Sequence, residues 1–245
     1  MTNQDASRRK TINRRRDGFS LIELLVVISI IVTLLAISLP AINQVRQTAR
    51  NTECKNNLKQ MALALQNHQS QNGYLPQDGS NGWGFTVYLL PQIEQTSLFQ
   101  QINPSQNPLT VGATVQPGKT DVVVPVYLCP SFLKDPILAS EFGRLSYLGN
   151  SSLLTKKKMQ FTDVTDGESA TIAAGETTTD RAWAQPATAT SSSPPNQSGT
   201  FGSQHGSGAN FVMCDGAVRW ITNSVDANVI KAMFTIDAKD LVGQF

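Results

Sequence analysis

The chain has 245 residues, of which 40% are apolar and 16% charged, with three cysteines, two histidines and a formal net charge of +2. That length accommodates one head domain of ordinary size beside an anchor. Within the first 18 positions Arg8, Arg9, Lys10, Arg14, Arg15 and Arg16 stand against Asp5 and Asp17, a local net of +4 that leaves −2 for the remainder. A nucleic-acid-binding protein needs its basic face on the folded part, so the charge balance gives that class no support and nucleic acid is not an expected partner.

In chain order, the basic leader 1–18 ends in Gly18, whose missing Cβ leaves the backbone uncrowded for a protease. Phe19 then opens an apolar run to Leu39 in which Glu23 is the one charged residue. As a helix this run spans about 31 Å at roughly 1.5 Å per residue, matching a hydrocarbon core of about 30 Å. Short flanks rich in Lys and Arg stay cytoplasmic, so the expectation is a single-pass helix with the bulk of the chain on the other side. A secretory signal would have a shorter apolar core, about 7 to 15 residues, ending in small residues. The membrane segment is therefore expected to be retained. A carboxylate within a span costs on the order of 2 to 3 kcal/mol near the centre, less towards the ends, and usually has a partner. Cutting after Gly18 would create one, a positive amine a helical turn before Glu23.

The stretch from Arg14 to Glu23, with Gly18-Phe19-Ser20-Leu21-Ile22-Glu23 at its centre, resembles the type IV prepilin and type II secretion pseudopilin signal. The resemblance covers roughly residues 14 to 45. It implies that a prepilin peptidase cuts between Gly18 and Phe19 and that the Phe19 amine is then methylated. It also implies that Glu23 pairs between stacked subunits. The expected partners are thus the prepilin peptidase, other pilin or pseudopilin subunits, and the inner (cytoplasmic) membrane, with the head periplasmic or extracellular.

Beyond the membrane, Pro40 can kink the helix without ending it. Ile42, Val45, Ala49, Leu58, Met61, Ala62 and Leu65 recur at spacings near three and four, an amphipathic stripe. Arg46, Arg50, Lys55 and Lys59 read as a solvated face, and Asn72-Gly73 supplies a stop. One helix over 19–72 is expected, its first half (19–39) transmembrane and its second half packed on a head over 73–245. In that head, Gly82 to Pro91 reads as a strand or a short helix start, and Val122 to Leu128 as a strand confined to an edge or bulge by Pro125. Thr171 to Glu176 reads as another strand. The run from about 184 to 199, rich in Ser, Pro and Thr, reads as a mobile surface loop with no core to bury. Asp215-Gly216 reads as a two-residue turn closing a hairpin over 209–221, with Phe211 opposite Trp220 and Met213 opposite Val218. The fold class is α+β, a long N-terminal helix packed on a mainly antiparallel β head, pilin-like.

Four further segments, Ala49 to Gln60, Val124 to Ser131, Phe161 to Gly167 and Gly202 to Phe211, resemble domain-of-unknown-function family 1559, whose members carry prepilin-type N-termini. The family's closing signature is a His, nine residues, then Asp-Gly, here His205 to Asp215-Gly216, a motif of unknown role. Family members usually carry a small residue where this chain has Cys214, which leaves Cys54 and Cys129 at family positions as a possible disulfide. No metal site and no cofactor is read from the sequence: zinc needs three or four ligands, and the other histidine, His68, lies on the predicted helix. His205 is expected to hydrogen-bond beside the hairpin. The resemblance to pseudopilins, whose heads use oxygen ligands in C-terminal loops, implies calcium rather than zinc as the better metal guess, but Asp163, Asp166 and Asp215 alone do not demonstrate a site. Three readings follow: a non-enzymatic structural subunit of a type II secretion or type IV pilus-like assembly, a displayed binding module using Trp83 or Trp183, and a tethered hydrolase built on His205 and Asp215. The first is preferred.

Overall fold

The computed structural model describes residues 19–109, 119–132, 134–138, 142–197 and 200–238. The leader and Gly18 lie outside these. The chain divides into two units, residues 1–45 and 46–245, with one helix, α1 (Leu21–Asn72), spanning the division.

In the first unit every described side chain is exposed, and the segment is long and apolar enough to cross a membrane. Its start is a capping box. The Glu23 carboxylate accepts from Ser20 N at 2.9 Å, and Ser20 Oγ accepts from Ile22 N at 3.4 Å, so two otherwise orphaned backbone donors are satisfied reciprocally. The hydroxyls of Ser29, Thr33 and Ser38 donate to the carbonyls of Val26, Ile30 and Leu34. No hydroxyl in that stretch therefore depends on water. The helix continues through Pro40.

The second unit is the head. Along α1 the residues Cys54, Leu58, Met61, Ala62, Ala64, Leu65 and His68 are buried, at the spacing that puts them on one stripe. The stripe read from the sequence begins too early: Ile42, Val45 and Ala49 are exposed. Lys59 is also more than a solvated charge, since its ammonium donates to Gly216 O at 2.7 Å.

Short elements follow: α2 (Phe85–Leu89) and α3 (Thr96–Ile102). The Gly82–Pro91 segment is thus helical from Phe85. The expected strand over 122–128 is absent. Pro125 instead opens a 3-10 turn, Pro125–Tyr127, because its fixed φ and missing donor suit a first helical position better than a ladder. The sheet comprises β1 (Arg144–Asn150), β2 (Ile172–Ala182), β3 (Thr188–Ala189), β4 (Gly208–Met213) and β5 (Val218–Thr222), in the order β3-β1-β2-β4-β5. Its pairings are antiparallel except β1 with β3. The Thr171–Glu176 expectation falls within this sheet as the start of a longer β2. Two further helices, α4 (Ser151–Leu154) and α5 (Ala227–Met233), complete the head.

Two corrections concern loops. The 184–199 run is not free of the core: Ala184 and Ala187 are buried beside Trp183, and residues 188–189 add a strand to β1. The buried Asp78 carboxylate captures this run, accepting from Ala187 N and, at 2.8 Å, from Thr188 Oγ1. At the hairpin, Asn210 pairs with Trp220, Phe211 with Arg219 and Val212 with Val218, one step from the expected register. The loop has three residues, Cys214-Asp215-Gly216. Met213 N donates to Ala217 O, Gly216 N donates to Met213 O, and Gly216 sits at φ 81°. This is a type I turn followed by a left-handed bulge residue, the usual three-residue hairpin. The register places Trp220 and Val218 on the face of Asn210 and Val212.

Candidate functional site

Four side chains from four segments converge on one point of the head. Cys54 comes from α1, Cys129 from the stretch after the 3-10 turn, Glu176 from β2 and His205 from the loop before β4. Cys54 and Cys129 are joined as a disulfide, with Cα atoms 5.0 Å apart. His205 Nε2 lies 3.3 Å from Glu176 Oε1 and 3.4 Å from Cys129 Sγ, and Cys129 Sγ lies 3.7 Å from Glu176 Oε1. One ligand atom from each of the four lies within 4.8 Å of all the others. The site is largely buried: the Glu176 and His205 side chains are 2% and 5% exposed.

Each member is held by its surroundings. Glu176 Oε2 accepts from Asn210 N at 2.7 Å and from Asn210 Nδ2 at 3.1 Å, which leaves Oε1 facing His205 and Cys129. Asn210 also donates to Asn51 Oδ1 on α1, linking strand and helix. The His205 loop is clamped through Ser203, whose Oγ accepts from His205 N and donates to Gly208 O, and whose N–H donates to Asn196 Oδ1. Asn196 belongs to the Ser/Pro-rich run, so that segment supports the site. The His205 ring meets Trp220 edge-on at 6.4 Å between centroids.

His205 and Asp215 are engaged separately. Asp215 Oδ1 accepts from Ala217 N within the hairpin turn. Asp163 and Asp166 likewise accept from backbone donors, Gln160 N and Ala238 N. Cys214 is a buried thiol whose pKa burial pushes well up, which makes it unreactive at neutral pH. Sequence reasoning missed Glu176 and Asn210. The available signal was a carboxylate ending the apolar run Ile172-Ala173-Ala174-Gly175.

Trp83 and Trp183 do not line a groove. Both are fully buried, and their indoles donate to Asn107 O and Val122 O. A separate cleft of about 660 Å³ is lined instead by residues including Tyr74, Tyr88, Phe99, Gln71, Gln77 and Lys157. On its wall, burial lowers the pKa of His68, whose Nδ1 donates to Tyr74 O, and raises that of Tyr88.

An apolar N-terminal helix with Glu23 in its first turn, ahead of a disulfide-bonded α+β head, fits a protein of the prepilin- or pseudopilin-like class. Residues 13–39 match the prokaryotic N-terminal methylation motif. Residues 43–151 and 178–228 match the family described as "Protein of unknown function (DUF1559)", and the chain belongs to that family. Cys54, Cys129 and His205 fall within the matched residues, whereas Glu176 does not. Neither a curated protein nor a solved structure matches the chain.

Proposed function

We propose that the protein is a non-enzymatic, pseudopilin-like structural subunit of a type II secretion or type IV pilus-like assembly. The prepilin peptidase cuts between Gly18 and Phe19, and the Phe19 amine is methylated. The mature chain is a single-pass protein of the inner membrane, its head outside the cytoplasm. The observation that carries this reading is the exposed apolar stretch 21–39 of α1, in which Glu23 is the one charge and the hydroxyls of Ser29, Thr33 and Ser38 donate within the helix. In the assembly, Glu23 exchanges its cap on Ser20 for the amine of a neighbouring subunit. Mass spectrometry of protein from cells with an active peptidase should find a methylated Phe19 at the N-terminus. Glu23→Ala should still insert, being more apolar, but should crosslink less to its neighbours. An uncut leader, or equal crosslinking in both, would overturn the reading.

A second reading, a displayed binding module, is favoured by the cleft around Tyr74, Tyr88 and Phe99. Aromatic faces beside Gln71 and Gln77 amides suit a sugar ring, which offers apolar C–H faces and hydroxyls. Native gels containing polysaccharide should then retard the wild type more than Tyr88→Ala. Equal mobility removes this reading.

A further inference from the structure

We propose that the dithiol form of the head is a metal site, in which Cys54, Cys129, Glu176 and His205 bind one zinc ion. The disulfide and the ion are then alternative occupants of the same place. This inference is independent of whether the helix enters an assembly.

The geometry carries it. Zinc bonds are about 2.3 Å to sulfur and about 2.0 to 2.1 Å to nitrogen or oxygen, in a tetrahedron, so ligand atoms sit about 3.3 to 3.8 Å apart. Three edges already have that length: His205 to Glu176 at 3.3 Å, His205 to Cys129 at 3.4 Å and Cys129 to Glu176 at 3.7 Å. The other three edges all involve Cys54 Sγ: those to Glu176 and His205 lie within 4.8 Å, and the third is the bond between the two sulfurs. Once it is broken, the sulfurs separate to ordinary contact, which is the edge a zinc site requires. Two thiolates with an imidazole and a carboxylate select a zinc-class ion over calcium or magnesium, which prefer oxygen shells. The supporting shell exists as well. Asn210 fixes Glu176 through Oε2 and leaves Oε1 free for the cluster, and Ser203 with Asn196 holds the His205 loop; such outer partners orient metal ligands. A simple Glu176–His205 hydrogen bond would require neither sulfur within reach.

Every chain is synthesised with thiols, so the dithiol form precedes the disulfide. The closed form is opened by an external dithiol. One thiolate attacks Sγ of Cys129, the less buried of the two residues, and the S–S electron pair leaves on Cys54, which takes a proton. The second external thiolate then displaces Cys129, and the dithiol departs as a disulfide. Zinc binding expels the two cysteine protons.

The test uses the full-length chain in detergent, carrying Cys214→Ala to remove the third thiol. It is reduced with a phosphine, which leaves as the phosphine oxide with oxygen from water. After zinc addition and gel filtration, elemental analysis should find one zinc per reduced chain and none per oxidised chain. Cobalt in place of zinc should give a thiolate charge-transfer band that disappears as the disulfide re-forms. Glu176→Gln and His205→Gln should each weaken retention at least tenfold, while still forming the disulfide on oxidation, as thiol counting reports. Glu176→Asp, which keeps the charge but shortens its reach, is the second variant should Glu176→Gln fail to fold. No zinc on the reduced parent, equal zinc on the oxidised one, or unchanged retention in the position-176 and position-205 variants overturns the proposal.

Discussion

At Asp78 a carboxylate 8% exposed accepts from Phe85 N at 2.9 Å, from Ala187 N and from Thr188 Oγ1. Burial raises its pKa while these donors oppose the rise, and together they tie α2 to β3. Asp78→Ala would strand two buried N–H groups, so the head should lose about 3 kcal/mol, read as a lower denaturant midpoint with an unchanged slope. An unchanged midpoint would show that water or a shifted backbone replaces the carboxylate. Little around Asp78 in the sequence marks it, since Phe85 N is seven residues away but Ala187 N and Thr188 Oγ1 lie over 100 residues away. Glu176 and His205 are the same case: each becomes informative only beside the other. Glu23 differs, because its capping partner is three residues away and Ser20-Leu21-Ile22-Glu23 is a local signature.

Among the elements, the C-terminal hairpin was visible from Asp215-Gly216 while its register was not. A two-residue and a three-residue loop share that dipeptide, and contacts from elsewhere decide between them. Cys214 N donates to Thr171 O, Asp215 N to Glu168 O, and Lys59 reaches Gly216 O. Gly216 is the residue with positive φ, whereas Asp215 serves as an acceptor for Ala217 N. Gly216→Val should therefore cost about 2 kcal/mol, from forcing a β-branched residue left-handed. Asp215→Asn, which keeps the acceptor, should cost less than about 0.5 kcal/mol. Thermal melts that rank them in the opposite order would show that Asp215 has a task beyond the turn. Pro125 carries a parallel lesson: it excluded a central strand, and the 3-10 turn it starts delivers Cys129 to the site.

For the whole molecule, the disulfide joins α1 to the head across a sequence separation of 75. On the loop-entropy model a closure of that length contributes about 4 kcal/mol. Cys54→Ser with Cys129→Ser should lower the unfolding free energy of the full chain by that order, measured by denaturant titration against the oxidised parent. A loss under about 1 kcal/mol would mean that the helix stripe from Leu58 to His68 docks without a staple.

What the sequence determined by itself was the apolar span with its single carboxylate, the long helix, the α+β class and the presence of a hairpin. Composition and short-range spacing carry those, because helical period and turn chemistry act within a few residues. Tertiary structure alone decided where the helix stripe becomes core, how the Ser/Pro-rich run is held by Asp78 and braces the His205 loop, and which groups meet at the disulfide. Those depend on contacts between residues tens to over a hundred positions apart, whose energies exist only once the chain has closed upon itself.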